Sequence, residues 1–376
     1  MSDAPPPEAD RLGDAPHPRD TRVLFGQDAS EAAFLEAYAQ DRLHHAWLVT
    51  GPRGVGKATL AWRIARFLLA EAPVEAGMFD APPPPTTLEI DPEHPVARRV
   101  AAGSEGRLFL VRRSWDAKTK RLKSTIGVDE VRGLKSFFAM SAADGGRRVV
   151  IVDAADEMTV NAANALLKVL EEPPDRCTLL MVSHQPARLL PTIRSRCREL
   201  RCAALSAEDI AQAVAQAGGA STDQSGVLAE LAQGSAGAAL GLMEEDGPGI
   251  YAALIGLAQT MPKIDRQAVL KLADGAAGRG KEARRDLTLR LIDLMLVRLA
   301  RHGAGHPPAG EAAAGELQEL MRLAPDMAAA HRWAALQQEL SGRTAHALAV
   351  NLDPASLILD TVLRINETAA DILSRR

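Results

Sequence analysis

The 376-residue sequence has few aromatic residues, few cysteines and no excess of positive charge. Aromatic residues make up 3% of a chain that is 47% apolar, a combination that suits close helix packing better than a β-sandwich. The formal net charge of −4 and the pI near 6.2 argue against a protein that coats nucleic acid by itself. A local basic patch could still contact DNA.

The three cysteines, Cys177, Cys197 and Cys202, are too few for a four-thiolate zinc site within this chain, and none of them forms a CxxC pair. Few cysteines and no apolar signal segment are typical of a reducing, cytoplasmic setting. We therefore expect a cytoplasmic protein.

The sequence also lacks a long apolar run. Its most apolar helical stretch, LTLRLIDLMLVRLA at residues 287–300, contains two arginines and an aspartate and is too short to span a bilayer. We expect this stretch to be a core helix of a protein with no membrane association.

Strand and helix signals alternate over the first half of the chain. Apolar runs such as AWLVT, LFLVRR, RRVVIVD and CTLLMVS predict strands, and amphipathic stretches between them predict helices. This alternation is typical of an α/β fold with a parallel sheet covered on both faces. Beyond about residue 203 only helices are predicted. The expected domains are a flexible tail (1–21), an α/β domain (22–203), a small helical domain (204–246) and an all-helical domain (247–376).

A glycine-rich turn follows the first predicted strand and precedes a helix. It reads GPRGVGK and matches the pattern GxxxxGK. Backbone N–H groups of such a turn can surround a phosphate, and the lysine adds a positive charge. The candidate phosphate-binding residues are Gly51, Gly54, Val55, Gly56 and Lys57.

The residues that would hold a magnesium ion beside this loop are incomplete. Ala58 occupies the position of the usual metal-binding hydroxyl, and Thr59 is one residue late, about 100° further around the helix. Asp153, at the end of RRVVIVD, could act as a metal ligand. The sequence leaves open whether ATP, ADP or phosphate occupies this degenerate site or whether the loop is kept for its shape alone.

The carboxylate that would activate water is also missing. In hydrolysing enzymes of this design a glutamate usually follows the aspartate, and here the residue is Ala154. Asp156 and Glu157 could be substitutes, but they would begin a turn or helix and point elsewhere. Loss of a positioned general base costs about 10²–10⁴-fold in rate. We expect a site that does not hydrolyse ATP.

Three longer motifs point to a family. HHAWLVTGPRGVGKATLA, NAANALLKVLEEPP and TIRSRC, in this order and spacing, resemble the clamp-loader branch of the AAA+ family. The resemblance is dense over residues 22–203 and weaker through 204–246. Beyond that it rests on helical character and the segment NLDPASLILD. It implies a P-loop AAA+ domain, a helical lid domain and a C-terminal helical oligomerisation (collar) domain.

The resemblance also implies partners. The chain would belong to a hetero-pentameric ring of the bacterial DNA polymerase III holoenzyme, with the delta subunit and tau or gamma subunits as neighbours. Through that complex it would take part in loading the sliding clamp onto primer–template DNA, while another subunit carries the DNA-directed DNA polymerase activity. The departures in the loop favour a non-hydrolysing stator. Two alternatives stay open: an active AAA+ motor that uses Asp156 or Glu157, and a free-standing regulator.

Individual positions match the family's functional residues. Arg196, within SRC, corresponds to the arginine finger that acts on a neighbour's nucleotide, where a guanidinium stabilises charge on the γ-phosphate. The alternative is a structural surface arginine in an arginine-rich run. Ser183 matches the first sensor position. Gly237 stands where active relatives carry a nucleotide-sensing arginine. We expect Cys197 to be a packing residue.

No zinc is expected, because the proline-rich interval 73–95, which matches the family's zinc module, contains no cysteine. His44, His45 and His94 lack metal-binding partners at suitable spacing. The run RRSWDAKTKRLK, residues 112–123, holds six basic residues. It is either a DNA-phosphate contact or a solvated hairpin.

Overall fold

The chain forms two compact units in a computed structural model. The first comprises Met1–Ala213 with Ser235–Gly237, and the second comprises Val214–Gly234 with Ala238–Arg376. The structure describes residues 7–13, 15–71, 84–139, 146–218, 225–350 and 352–375. The predicted division at residues 203 and 246 into separate lid and collar domains stays a prediction.

The first unit is built around a five-stranded parallel sheet with the strand order β2-β5-β6-β1-β7, and a separate two-stranded antiparallel hairpin consists of β3 and β4. The strands are β1 (Ala46–Thr50), β2 (Leu108–Arg112), β3 (Trp115–Asp116), β4 (Arg121–Leu122), β5 (Arg148–Asp153), β6 (Cys177–Val182) and β7 (Arg198–Arg201).

The apolar runs explain the parallel sheet. Strands β1 and β6 are buried at every position, and β5 is buried at its four central residues. A strand covered on both faces reads as a continuous apolar run rather than an alternating one. The predicted α/β fold with a parallel sheet is therefore confirmed.

Strand β7 was not predicted. Its sequence RELR carries three charged residues, and only Leu200 is buried. The strand lies at the edge of the sheet beside β1, where charged side chains reach solvent and protect an exposed strand from pairing with other chains. An edge strand of this kind has no apolar pattern by which to predict it.

The helices of the first unit cover the sheet. They are α1 (Asp28–Ala39), α2 (Lys57–Ala70), α3 (Pro95–Ala101), α4 (Val128–Ala139), α5 (Val160–Glu171), α6 (Pro191–Arg194) and α7 (Ala207–Gln216). Thr159 caps α5 by accepting from Ala162 N. That helix ends just before the two prolines that follow it, because proline cannot continue a helix. Helix α7 begins with a capping box, in which Ser206 and Asp209 exchange side chain–backbone hydrogen bonds.

The described part of the second unit is helical. Its helices are α8 (Ser225–Ala232), α9 (Ala236–Glu244), α10 (Gly247–Thr260), α11 (Arg266–Gly275), α12 (Glu282–Gly303), α13 (Glu316–Leu323), α14 (Met327–Ala349) and α15 (Pro354–Leu373). Helix α12 contains the predicted core stretch and buries ten of its residues. Of the helices in the described ranges, none is both long enough and apolar enough to cross a membrane.

The beginning of the chain differs from the prediction of a flexible tail at residues 1–21. In the described parts, residues 7–13 and 15–21, His17 is 2% exposed and its ring lies edge-on to Trp62 at 5.5 Å. Arg66 donates to the carbonyls of Arg19 and Thr21 at 2.7 and 3.0 Å. A flexible tail was expected because this segment has few large apolar side chains to bury. In the structure, hydrogen bonds and ion pairs hold the segment instead.

Candidate functional site

The glycine-rich turn lies between the end of β1 and the start of α2, as predicted. Gly51, Gly54 and Gly56 have φ angles of 136°, 77° and 99°, which side-chain-bearing residues rarely adopt. At Gly51 a Cβ atom would also lie 2.3 Å from the carbonyl oxygen of Cys202. The phosphate loop, residues 51–57, therefore needs its glycines for its backbone shape.

A buried amide supports the loop from one side. Gln27 Nε2 donates to Val55 O at 3.1 Å and to Ala203 O at 2.9 Å, and Ala203 N donates to Gln27 Oε1 at 3.0 Å. These bonds join the loop to the segment after β7. Sequence reasoning missed Gln27 because its partners are distant in the chain and a single glutamine before a helix belongs to no recognisable pattern.

Lys57 is the first residue of α2 and is buried. Its Nζ donates to Gly51 O at 2.8 Å and to Pro52 O at 2.5 Å. Burial lowers the pKa of Lys57 to about 8, although the nearby charge of Asp153 acts in the opposite direction. The ammonium is therefore still charged at neutral pH, and it donates hydrogen bonds to carbonyl oxygens of its own loop.

Asp153 ends β5 at the edge of the sheet where the loop lies, in register with Arg112 of β2. Burial and the charges of Asp10 and Glu157 raise the pKa of Asp153 to about 7. Near neutral pH this carboxyl group is therefore only partly ionised. The next residue, Ala154, is 4% exposed and offers no group that could activate water.

The two acids considered as substitutes are held by other partners. They lie in the short 3₁₀ turn Ala155–Glu157, as expected. Asp156 Oδ1 accepts from the backbone N of His184 at 2.8 Å. Glu157 Oε2 lies 2.7 Å from Arg113 Nε. Each of the two carboxylates therefore already has a partner within the chain.

Two buried polar groups follow β6. Within the part of the chain that the structure describes, Ser183 Oγ and His184 Nδ1 have no hydrogen-bond partner. Burial and the positive charge of Lys57 lower the pKa of His184 to about 4, so its imidazole is neutral near pH 7. Such buried, unpartnered groups beside the loop could bond to a polar ligand, whose presence the sequence leaves open.

The segment that contains Gly237 packs directly on the phosphate loop. Ser235 Oγ donates to Arg53 O at 2.8 Å, and Gly237 N donates to Gly54 O at 3.0 Å. A Cβ atom on Gly237 would lie 3.0 Å from the Cα of Gly54. An arginine at position 237 would therefore require this segment to move away from the loop.

These residues fit a phosphate group but not a magnesium ion. Positive-φ glycines and a charged lysine at a helix start are suited to bind phosphate. Magnesium needs oxygen ligands in a strict geometry, whereas position 58 is alanine and offers no oxygen. Across the described ranges, no cluster of three or more His, Cys, Asp or Glu side chains could hold a metal ion.

Arg196 lies in the turn between α6 and β7. Its Nη2 is 3.0 Å from Glu171 Oε1, and its Nη1 donates to Thr192 O at 3.0 Å. The side chain is 36% exposed, and neither partner belongs to the phosphate loop. The neighbouring Cys197 contacts Met181 Sδ at 3.8 Å, and burial raises the pKa of its thiol to about 12, as suits a packing residue.

The basic run forms the predicted hairpin, β3 and β4. Ion pairs hold three of its six basic side chains: Arg112 pairs with Glu8, Arg113 with Glu157 and Lys123 with Glu130. The other three lie exposed at and near the tip: Lys118, Lys120 and Arg121. The predicted insertion 73–95 lies partly outside the described residues, since its first eleven positions are not described.

The three histidines that were weighed as metal ligands contact nearby backbone groups or each other. His94 caps α3 by accepting from Val96 N. The rings of His44 and His45 lie 4.3 Å apart, and His45 Nε2 contacts Leu170 O at 3.2 Å.

Comparison with known proteins identifies the first unit. Residues 26–206 match the family described as "DNA polymerase III, delta subunit". DNA polymerase III subunit delta' of Pseudomonas aeruginosa is 35% identical over 229 residues, which cover 60% of this chain and 62% of that protein. DNA polymerase III subunit gamma of Buchnera aphidicola is 28% identical over 232 residues, covering 60% of this chain and 58% of that protein. The matched stretches thus span less than two thirds of either relative.

Among solved structures, a DNA polymerase III gamma subunit-related protein from Thermotoga maritima aligns with 89% of this chain and 99% of its own, at 18% identity. Its TM-score of 0.41 marks a distant likeness.

Proposed function

The chain belongs, through residues 26–206, to the DNA polymerase III clamp-loader family of delta', gamma and tau subunits, and from this premise we propose that it is a delta'-type stator. In this role it hydrolyses no ATP and supplies Arg196 to the nucleotide bound by a neighbouring motor subunit. It takes part in loading the sliding clamp onto primed DNA.

The observation that carries this proposal is the residue after β5. Ala154 is buried and apolar where hydrolysing relatives of this design have a carboxylate, Asp156 accepts from the backbone N of His184, and Glu157 forms an ion pair with Arg113. This arrangement supports a site that lacks a general base. Without one the rate of hydrolysis falls about 10²–10⁴-fold.

The exposure of Arg196 supports a role on a neighbouring subunit. Its guanidinium is held by a hydrogen bond to Thr192 O and by one ion pair with Glu171, which is itself 51% exposed, so the ion pair is weak and easily exchanged. A γ-phosphate from another subunit offers more negative charge than one carboxylate. An arginine finger of this kind contributes about 10³–10⁵-fold to the rate where such residues act.

The partners follow from the same proposal. The delta subunit lies on one side and a tau or gamma subunit on the other, and the helical second unit makes most of the ring contacts. The sliding clamp and the primer–template DNA are reached through the assembled complex. No zinc and no bound nucleotide are required, although the loop fits a phosphate.

An active motor is the second candidate, and one observation favours it. The glycine loop and Lys57 retain the form of a phosphate-binding site, and a gamma subunit is among the relatives. A free-standing regulator would share the same loop but would have no ring partners.

A pair of variants in a reconstituted clamp loader separates these functions. We expect Arg196→Ala to lower the DNA-dependent ATPase rate of the complex by at least the share that one motor subunit contributes. We expect Lys57→Ala to change the rate less than twofold. Arg194→Ala, which removes a charge from the same arginine-rich run, is the matched control and should leave the rate unchanged.

The opposite result favours the motor. If Lys57→Ala abolishes a large share of the ATPase rate and Arg196→Ala does not, the chain hydrolyses ATP itself. If the chain does not co-purify with delta and tau or gamma subunits, the regulator is favoured instead.

A further inference from the structure

The described residues 7–13 and 15–24, which we call the strap, reach the edge of the sheet that holds the phosphate loop. Glu8 Oε1 accepts from Arg112 Nη2 at 2.9 Å, and Asp10 pairs with the same guanidinium. Arg112 is the last residue of β2 and lies in register with Asp153 of β5. The acids of the strap therefore lie at the same sheet edge as Asp153.

Buried contacts anchor the strap to the first unit. His17 Nε2 is 3.2 Å from Asp10 Oδ2, and both side chains are 2% exposed. The His17 ring packs edge-on against Trp62 of α2, and Arg66 of the same helix donates to two strap carbonyls. Although burial acts to raise it, the pKa of Asp10 is lowered by the hydrogen bond with His17 and the charge of Arg112. Asp10 therefore carries its negative charge at neutral pH.

Two strap leucines contact the loop and the segment that packs on it. Leu24 Cδ1 lies 2.5 Å from the point where a Cβ atom on Gly56 would stand, so this leucine packs against the last glycine of the loop. Leu12 Cδ2 lies 3.3 Å from the equivalent point on Gly237, which is bonded to Gly54.

Asp10 brings a negative charge to this sheet edge. Its partner Arg112 ends β2, and Asp153 ends the neighbouring strand β5 in register with that arginine. A phosphate brought to Lys57 would meet the same fixed charge. Repulsion between like charges is strong where water is largely excluded.

We infer that the strap holds the phosphate loop closed to nucleotides, so that a nucleoside polyphosphate binds only when residues 7–13 move away from the sheet edge. The inference concerns nucleotide binding to the chain's own phosphate loop. It goes beyond the proposed function and stands whether or not Arg196 acts on a neighbour.

The test is binding of a fluorescent ADP analogue, methylanthraniloyl-ADP, to the purified full chain and its variants. We expect the double variant Glu8→Gln, Asp10→Asn to bind the analogue at least about tenfold more tightly than the unaltered chain, and a chain lacking residues 1–12 to bind it at least as tightly as the double variant. Adding Lys57→Ala to either variant should remove the gain, because the new binding uses the phosphate loop.

Asp20→Asn is the matched control. It also removes a negative charge within the strap, one where the double variant removes two, but Asp20 is 47% exposed and faces Arg19 at 3.9 Å rather than the sheet edge. Its affinity for the analogue should equal that of the unaltered chain.

Three results would overturn the inference: variants that are folded by circular dichroism yet bind no more tightly, a gain that survives Lys57→Ala, or an unaltered chain that already binds as tightly as the variants. If the shortened chain does not fold, the double variant decides the question, since it preserves the size of both side chains.

Discussion

Three side chains around the phosphate loop have pKa values that are shifted from their ordinary values. The pKa of Asp153 is raised to about 7, whereas those of His184 and Lys57 are lowered to about 4 and about 8. Burial is the largest cause in all three, because it disfavours whichever form is charged. Near neutral pH the site thus holds a neutral imidazole, a charged ammonium and a partly protonated carboxyl group.

Asp153→Asn should change how the free energy of unfolding depends on pH, because it removes this buried titrating group. Between about pH 4 and pH 7 the native carboxyl keeps its proton while an unfolded aspartate has lost it, so the unaltered chain loses stability relative to the variant as pH rises. The slope cannot exceed about 1.4 kcal/mol per pH unit. Urea unfolding of both proteins from pH 4.5 to 8 measures the difference, which should level off above pH 7.

The contribution of His184 has the opposite sign, because its lowered pKa makes stability rise with pH between about 4 and 6.5. It is present in both proteins and cancels in their difference. A difference that does not vary with pH would show that Asp153 ionises normally in the folded chain.

At the scale of secondary-structure elements, a buried ion pair links the helices of the second unit. Arg298 of α12 donates to both carboxylate oxygens of Glu316 of α13, at 2.7 and 3.0 Å, and to Glu230 of α8 at 2.9 Å. Tyr251 of α10 also donates to Glu316, at 2.5 Å. Glu316 is fully buried, so every bond it makes substitutes for lost water.

Glu316→Ala should therefore lower the free energy of unfolding of the second unit by about 3–5 kcal/mol, because it leaves the Arg298 charge buried without its main partner. Chemical unfolding of the full chain, followed by circular dichroism, measures the loss.

Glu339→Ala is the matched control in the same unit. Glu339 pairs with Arg364 at 2.9 Å on the surface, and an exposed pair of this kind contributes about 0–1 kcal/mol. Equal losses in the two variants would contradict the importance of burial for the Glu316 pair.

The sequence predicted elements well where a local rule governs them. Helix α5 follows from its amphipathic pattern, and β5 follows from its apolar run. Strand β7 could not be predicted in this way because its pairing with β1 comes from the sheet and not from its own residues. The ion pair of Arg298 was equally hidden, since in the sequence it appears only as a charge that interrupts an apolar stretch.

On the scale of the whole molecule, the purified chain should release phosphate from ATP at no more than the background rate. In the proposed function the site has no general base and only incomplete metal ligands, and each of these defects would slow hydrolysis independently. A coupled phosphate-release assay on the chain alone measures this, with the chain lacking residues 1–12 as a second sample. The shortened chain should bind nucleotide and still not hydrolyse it.

Phosphate release that disappears with Lys57→Ala would contradict this prediction and favour the motor. Release that is insensitive to Lys57→Ala would instead indicate a contaminating ATPase.

The sequence by itself determined the α/β architecture, the phosphate loop, the missing carboxylate at Ala154 and the family resemblance. Each of these depends on residues that are adjacent or regularly spaced in the chain. Only the tertiary structure decided that Gln27 supports the loop, that Gly237 packs on Gly54, and that residues 7–13 and 15–21 pack against α2 and the end of β2. Such contacts join segments tens to hundreds of residues apart, and the fold alone brings these segments together.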